Sequence, residues 1–188
     1  MLMVAGLFGV GIEDARGRRL FEDVEIPILP GGIVLITGSS GAGKSTLLRG
    51  LRQQLKNALV LEEIDAPTDR VVIDSFTSSL DETLAHLARA GLSEARLLLQ
   101  SPATLSEGQR FRYRLAQFFA GSSRILIADE FAAILDRVTA RVVAYQLGRF
   151  IKTSNKTAIL ATTHEDLVED LRPTVRVHVG LSGKVSVR

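Results

Sequence analysis

Three groups of residues along this chain have the types and spacing to do chemistry. Gly38-Ser39-Ser40-Gly41-Ala42-Gly43-Lys44-Ser45 fits G-x-x-x-x-G-K-[ST] at every fixed position. Glycines there free the backbone to aim N–H groups at an anion. Lys44 reaches toward β- and γ-phosphates, and the Ser45 hydroxyl suits Mg²⁺. Thr46 falls beside the α-phosphate. Further on, Asp129-Glu130 ends an apolar run. Asp129 offers hard oxygens to a cation, and Glu130 suits a general base that polarises an attacking water. Phosphoryl transfer asks for placement and charge neutralisation more than covalent help, so two adjacent acids can divide the work. Between these groups lies Leu105-Ser106-Glu107-Gly108-Gln109. Ser106 followed three residues later by Gln109 is a capping-box pattern that opens a helix. The tip of such a helix carries partial positive charge and free N–H groups.

The elements that must position these residues are legible from periodicity. Gly32-Ile33-Val34-Leu35-Ile36-Thr37 is a buried parallel strand, and the run from Lys44 to Leu51 has helical spacing. Strand, glycine loop, helix is the order that the phosphate pattern requires. Residues 124–128 and 157–161 supply two more core strands, with a helix over 137–152 between them. His164 follows the second of these strands. Arg70-Val71-Val72-Ile73 reads as another strand. Ser79-Leu80-Asp81-Glu82 opens a helix with a capping box; Leu80, Leu84, Leu87 and Ala88 form its apolar face, and Gly91 closes it. Residues 1–28 read as short antiparallel strands, and 175–187 as a terminal hairpin about Ser182-Gly183. Alternating strands and helices predict an α/β fold with an open, mostly parallel sheet.

Leu105-Ser106-Glu107-Gly108-Gln109 resembles the LSGGQ signature of ATP-binding-cassette (ABC) ATPases, with Glu107 where glycine is commonest. Asp129-Glu130-Phe131-Ala132-Ala133-Ile134-Leu135-Asp136 is similar to that superfamily's second acidic motif and D-loop, and Ala161-Thr162-Thr163-His164-Glu165 to its switch-histidine segment. The resemblance spans roughly residues 20–170. The wording around the signature also resembles a smaller group of stand-alone, non-transporter ABC-type ATPases, some fused to an acetyltransferase-like domain. The resemblance implies a P-loop NTPase of ABC type, with an N-terminal antiparallel β region and a short helical subdomain at about 75–120 inserted in a single domain, 1–188. It implies ATP and Mg²⁺ as ligands and a head-to-tail homodimer. Ser106 and Gly108 of one copy then meet the γ-phosphate held by residues 38–46 of the other. His164 touches that phosphate and the attacking water, and Asp136 touches the opposite subunit. Taken alone, Ser106 is an N-cap, Asp136 is a helix N-cap or first-turn acid, and His164 is an ordinary polar residue.

Two expected parts are missing from their usual places. No glutamine follows residues 70–73; Asp74 stands there and could take the glutamine's role. No tyrosine or tryptophan precedes the phosphate loop, which leaves Phe8 and Phe21 as candidates to stack on the base. Composition bounds the rest. With 188 residues, 46% hydrophobic, the chain can bury one core. It has no cysteine for a disulfide or a thiolate metal site. No apolar run has membrane-spanning length, so a cytoplasmic protein is expected, with a membrane partner possible. A net charge of +2 does not point to nucleic acid, although Arg110, Arg112, Arg114 and Arg124 cluster near the signature helix, a patch that could meet ATP phosphates, an acidic partner or a nucleic-acid backbone and reads first as a solvated helix face. A protein or nucleic-acid partner remains to be identified.

Overall fold

The computed structural model describes residues 12–13, 19–21, 24–181 and 184–188. The first half contains β1 (Ile12–Glu13), β2 (Arg19–Phe21), β3 (Ile33–Thr37), α1 (Lys44–Gln54), β4 (Leu59–Val60), α2 (Leu80–Arg89) and α3 (Ala95–Leu98). The second half contains α4 (Glu107–Ala120), β5 (Ile125–Ala128), α5 (Arg137–Ser154), β6 (Thr157–Ala161), α6 (Val168–Leu171), β7 (Val175–Val179) and β8 (Val185–Val187). The main sheet runs β4-β5-β6-β3-β7-β8, parallel except for the last pair. β1 and β2 form a separate antiparallel pair.

Every residue of β3 and β6 is buried, as expected for strands covered on both faces. Because side chains alternate along a strand, each strand feeds two cores. Val34, Ile36, Ile127 and Ile159 pack with Leu47, Leu48 and Leu51 of α1. Leu35, Leu126, Ala158 and Leu160 pack on the other face with the buried sides of α4 and α5. β7 alternates strictly, burying Val175, Val177 and Val179 and exposing Arg176 and His178. β8 pairs with it as the expected hairpin; the Ser182-Gly183 turn falls outside the described residues.

Two expectations are corrected. Residues 70–73 are not a strand: Ile73–Ser75 is a 3₁₀ turn, and Val72 donates its N–H to the Gln100 carbonyl. The strand beside β5 is β4 instead, in register Leu59↔Leu126 and Val60↔Ile127. The chain therefore leaves the sheet after Val60 and returns at Ile125, carrying all of α2, α3 and α4 between two neighbouring strands. In α2 the capping box forms at Ser79, and Gly91, at φ 78°, follows the helix end. The buried side chains, however, are Thr83 and Leu87, while Leu80 is 61% exposed and Leu84 and Ala88 are also exposed. Of the expected face Leu87 alone is buried, and Thr83, which hydrophobicity did not single out, is buried with it where the helix docks on α4.

Candidate active site

The phosphate loop joins β3 to α1 at the carboxyl end of the sheet, where open α/β folds bind ligands. Gly38 has φ 144°, and a Cβ there would collide with the Val179 carbonyl of neighbouring β7. Only glycine lets the loop leave the sheet at this point. Gly43 caps α1 in the left-handed region at φ 102° and carries no side chain into the cradle. Lys44 is 8% exposed, and its Nζ donates to the carbonyls of Gly38 (2.8 Å) and Ser39 (2.9 Å). The ammonium is thus held folded over the loop. Ser39, Ser40 and Ser45 are exposed, Ala42 is buried against the core, and Gly41 has open space about it.

Asp129 and Glu130 follow β5. The Glu130 N–H donates to Asp129 Oδ1 (3.0 Å). Glu130 and Ala132 sit at φ 45° and 61°, a region costly for residues with a Cβ. What holds them there is a set of cross-strand bonds. The Phe131 N–H donates to the Ala161 carbonyl (2.8 Å), and Thr162 Oγ1 donates to the Phe131 carbonyl (3.2 Å). Thr162 N–H in turn donates to Ile36 at the end of β3 (3.0 Å), and His164 N–H to Thr162 Oγ1 (3.1 Å). The tips of β3, β5 and β6, with half-buried His164, are locked to one another.

A cavity of about 130 Å³ is lined by Ser45, Arg49 and Arg52 of α1, by Asp129 and by Glu62. Serine hydroxyl and carboxylate oxygens are hard donors, a set that fits Mg²⁺. Glu62 is the residue sequence reasoning missed. Asp129 donates its N–H to Glu62 Oε1 (3.2 Å). Glu62 is exposed at its surface, yet desolvation by the protein around its carboxyl, and in smaller part the Asp129 charge, push that carboxyl above its ordinary range. Asp74, the candidate for the glutamine's role, lies in the turn that Gln117 of α4 grips through the Ser75 carbonyl. The signal was present in Leu59-Val60-Leu61-Glu62-Glu63, an apolar run ending in two acids like the one before Glu130.

Ser106 caps α4 with a full capping box: it accepts from Gln109 N–H (3.3 Å) and its own N–H donates to Gln109 Oε1 (3.0 Å). The serine is exposed. A Cβ on Gly108 would approach Leu135 Cδ2 to 3.3 Å, so the helix tip leans on the segment after Glu130. Asp136 caps α5 by accepting from Thr139 N–H (3.0 Å), and hydrogen bonding from the Thr139 side chain first, then from that N–H, holds its carboxyl below the usual range. The α4 arginines are not a solvated face. Arg110 donates to the Ala103 and Leu105 carbonyls, Arg112 to Gly108 and Gly91, and Arg114 to Ile64. Of the base-stacking candidates, Phe8 lies outside the described residues and Phe21 falls in β2.

Residues 29–176 match the family model of the AAA domain. The chain is 31% identical over 185 residues to aliphatic sulfonates import ATP-binding protein SsuB 3 of Nocardia farcinica, covering 90% of this chain and 74% of that one. It is 28% identical over 218 residues to the lipoprotein-releasing system ATP-binding protein LolD of Novosphingobium aromaticivorans, covering 92% and 91%. Its fold matches a dimeric ATP-binding cassette in a post-hydrolysis state bound to ADP and Pi, with a TM-score of 0.68 at 18% identity over 90% of each chain.

Proposed function

The chain belongs to the ATP-binding-cassette superfamily of ATPases, and from that premise we propose that two copies close head to tail on ATP, each lending half of both reaction sites. One observation carries the reading. The cavity shared by Ser45 and Asp129 is walled by α1, β4, β5 and the Glu62 turn, while the Ser106 tip of α4 stands exposed. None of the residues at this anion-favouring helix tip lines the cavity of Ser45 and Asp129, which supports a phosphate held by a second molecule.

In this reading the backbone of residues 38–46 cradles the phosphates, and Lys44 exchanges its two loop carbonyls for phosphate oxygens. Ser45 and Asp129 would hold Mg²⁺, which when bound neutralises phosphate charge. Glu130 orients and polarises the water, and His164 contacts the γ-phosphate. The N–H groups at Ser106 and Gly108 of the second copy stabilise charge that grows in the transition state. Asp136 meets the opposite subunit. We take residues 1–188 as one such domain.

The partner we propose is a membrane-embedded transport component, because the relatives carry import and lipoprotein-release names. That observation favours a transporter subunit over a stand-alone enzyme. Exposed Leu80, Leu84 and Leu99 on the helical insert supply apolar surface for such a partner. A nucleic-acid clamp has less support, since the α4 arginines are bound to carbonyls. Among the described residues no helix is long and apolar enough to cross a membrane.

Glu130→Gln tests the core of the reading. It should bind ATP, turn over negligibly, and run as a dimer on size-exclusion chromatography with ATP and Mg²⁺. A monomer at saturating ATP would contradict the shared site. Co-purification of that variant with a multi-span membrane protein would support the partner, and recovery with soluble proteins alone would favour the stand-alone reading.

A further inference from the structure

Thr162 ties three strand ends through one residue. Its N–H donates to the carbonyl of Ile36, near the end of β3 where the phosphate loop begins (3.0 Å). Its hydroxyl donates to the carbonyl of Phe131, the residue after Glu130 (3.2 Å). The same oxygen accepts the N–H of His164 (3.1 Å). A hydroxyl has one proton to give and lone pairs to accept with, so it can make both bonds at once. Thr162 and Phe131 are both 0% exposed, which keeps water from taking over the bond between them. Phe131 sits between Glu130 and Ala132, whose left-handed backbones (φ 45° and 61°) are costly for residues with a Cβ. Its N–H is fixed by the Ala161 carbonyl (2.8 Å) and its carbonyl by Thr162 Oγ1, so the end of β6 holds Phe131 by both of its backbone polar groups.

We propose that Thr162 is a positioning residue for ATP hydrolysis: its hydroxyl sets Glu130 and His164 at a fixed separation by bonding the backbone beside each. The inference rests on the roles proposed for those two residues and deepens that reading. A buried hydroxyl is costly unless bonded, and the four residues of β6 before Thr162, Ala158 to Ala161, are apolar. Valine has the same branched outline, so packing alone does not call for a threonine here. The Glu130 turn follows β5 and the His164 segment follows β6, and this one oxygen is bonded to both. Without it, the Glu130 turn can relax toward ordinary φ and the His164 backbone loses its anchor. The bond to Ile36 is made by the Thr162 backbone and does not depend on the side chain.

Thr162→Val deletes both hydroxyl bonds and keeps the branched shape; Thr162→Ser keeps the hydroxyl and drops only the methyl. In a steady-state ATPase assay Thr162→Val should lower kcat about tenfold, the order expected when buried polar groups lose their partner. KM should stay as in wild type, the mark of an interaction that matters on the way to the transition state. Thr162→Ser should regain most of the wild-type kcat. Affinity for a nonhydrolysable ATP analogue, read by calorimetry, should match wild type in both variants, which also certifies their fold. Wild-type kcat in Thr162→Val would overturn the role of the hydroxyl while the ATPase reading stands. Should the valine variant not fold, the serine variant decides: full kcat supports the proposal, and a folded, nucleotide-binding protein with slow turnover overturns it. Glu130→Gln that hydrolyses ATP at the wild-type rate would overturn the underlying reading as well.

Discussion

Lys44 shows how a single side chain can be legible in sequence and still surprise in place. Its spacing after Gly38 marks it as a phosphate ligand, yet the ammonium bonds the two carbonyls at the start of its own loop. A cation stored in this way loses little on exchanging neutral carbonyls for phosphate oxygens, because charge-assisted bonds to an ionised acceptor are roughly twice as strong as neutral ones. Lys44→Ala should therefore reduce ATP affinity, measured by calorimetry, by at least about tenfold, the cost of one charge-assisted bond of about 1.5–3 kcal/mol; undiminished affinity would show that the loop is not the cradle. Glu130 is the opposite case. Its identity was clear from the acidic pair, but not its left-handed backbone, which the bonds of Phe131 to Ala161 and Thr162 impose from another strand. Glu62 was missed for the same reason. Nothing local distinguishes it from Glu63; only the pairing of β4 with β5 brings the first to Asp129, while Arg52 takes the second.

At the level of elements, helix starts were read well and buried faces less so. Both capping boxes predicted from Ser79 and Ser106 form, since a cap depends on residues within one turn. The face that α2 buries depends on α4, and it is the side bearing Thr83 and Leu87. His86 lies half-buried on the same helix and donates or accepts beside Arg89. Burial first, and then the charges of Arg89 and Lys156, hold its imidazole below the ordinary 6.5. The folded state thus resists the proton that the unfolded chain accepts, and stability falls as pH drops below about 6.5 toward the folded value. His86→Asn should flatten that decline in urea titrations at pH 7 and pH 5.5; an unchanged slope would remove His86 from the pH response. The strand expected at 70–73 failed because a short β-branched run carries no information about which edge will pair with it.

For the molecule as a whole, the proposed division between half-sites matters most. Ser106→Arg places bulk and charge on an exposed tip, so monomer affinity for ATP should stay within about twofold, as surface changes rarely exceed ±0.5 kcal/mol. On the proposed shared site turnover should disappear; full activity in a steady-state ATPase assay would rule out catalysis in trans. Much of this protein's local geometry could be read before any coordinates: the glycine loop between β3 and α1, the Asp129-Glu130 pair at a strand end, the Ser106 cap and the alternation of strands with helices are all short-range patterns, fixed by backbone geometry and caps within a few residues. Folding added what short-range patterns cannot contain. The neighbour of β5, the buried side of α2, the attachment of the α4 arginines to distant carbonyls and the arrival of Glu62 beside Asp129 all join segments tens of residues apart. Such contacts are settled by which surfaces bury best against one another, a property of the packed chain and not of any window along it.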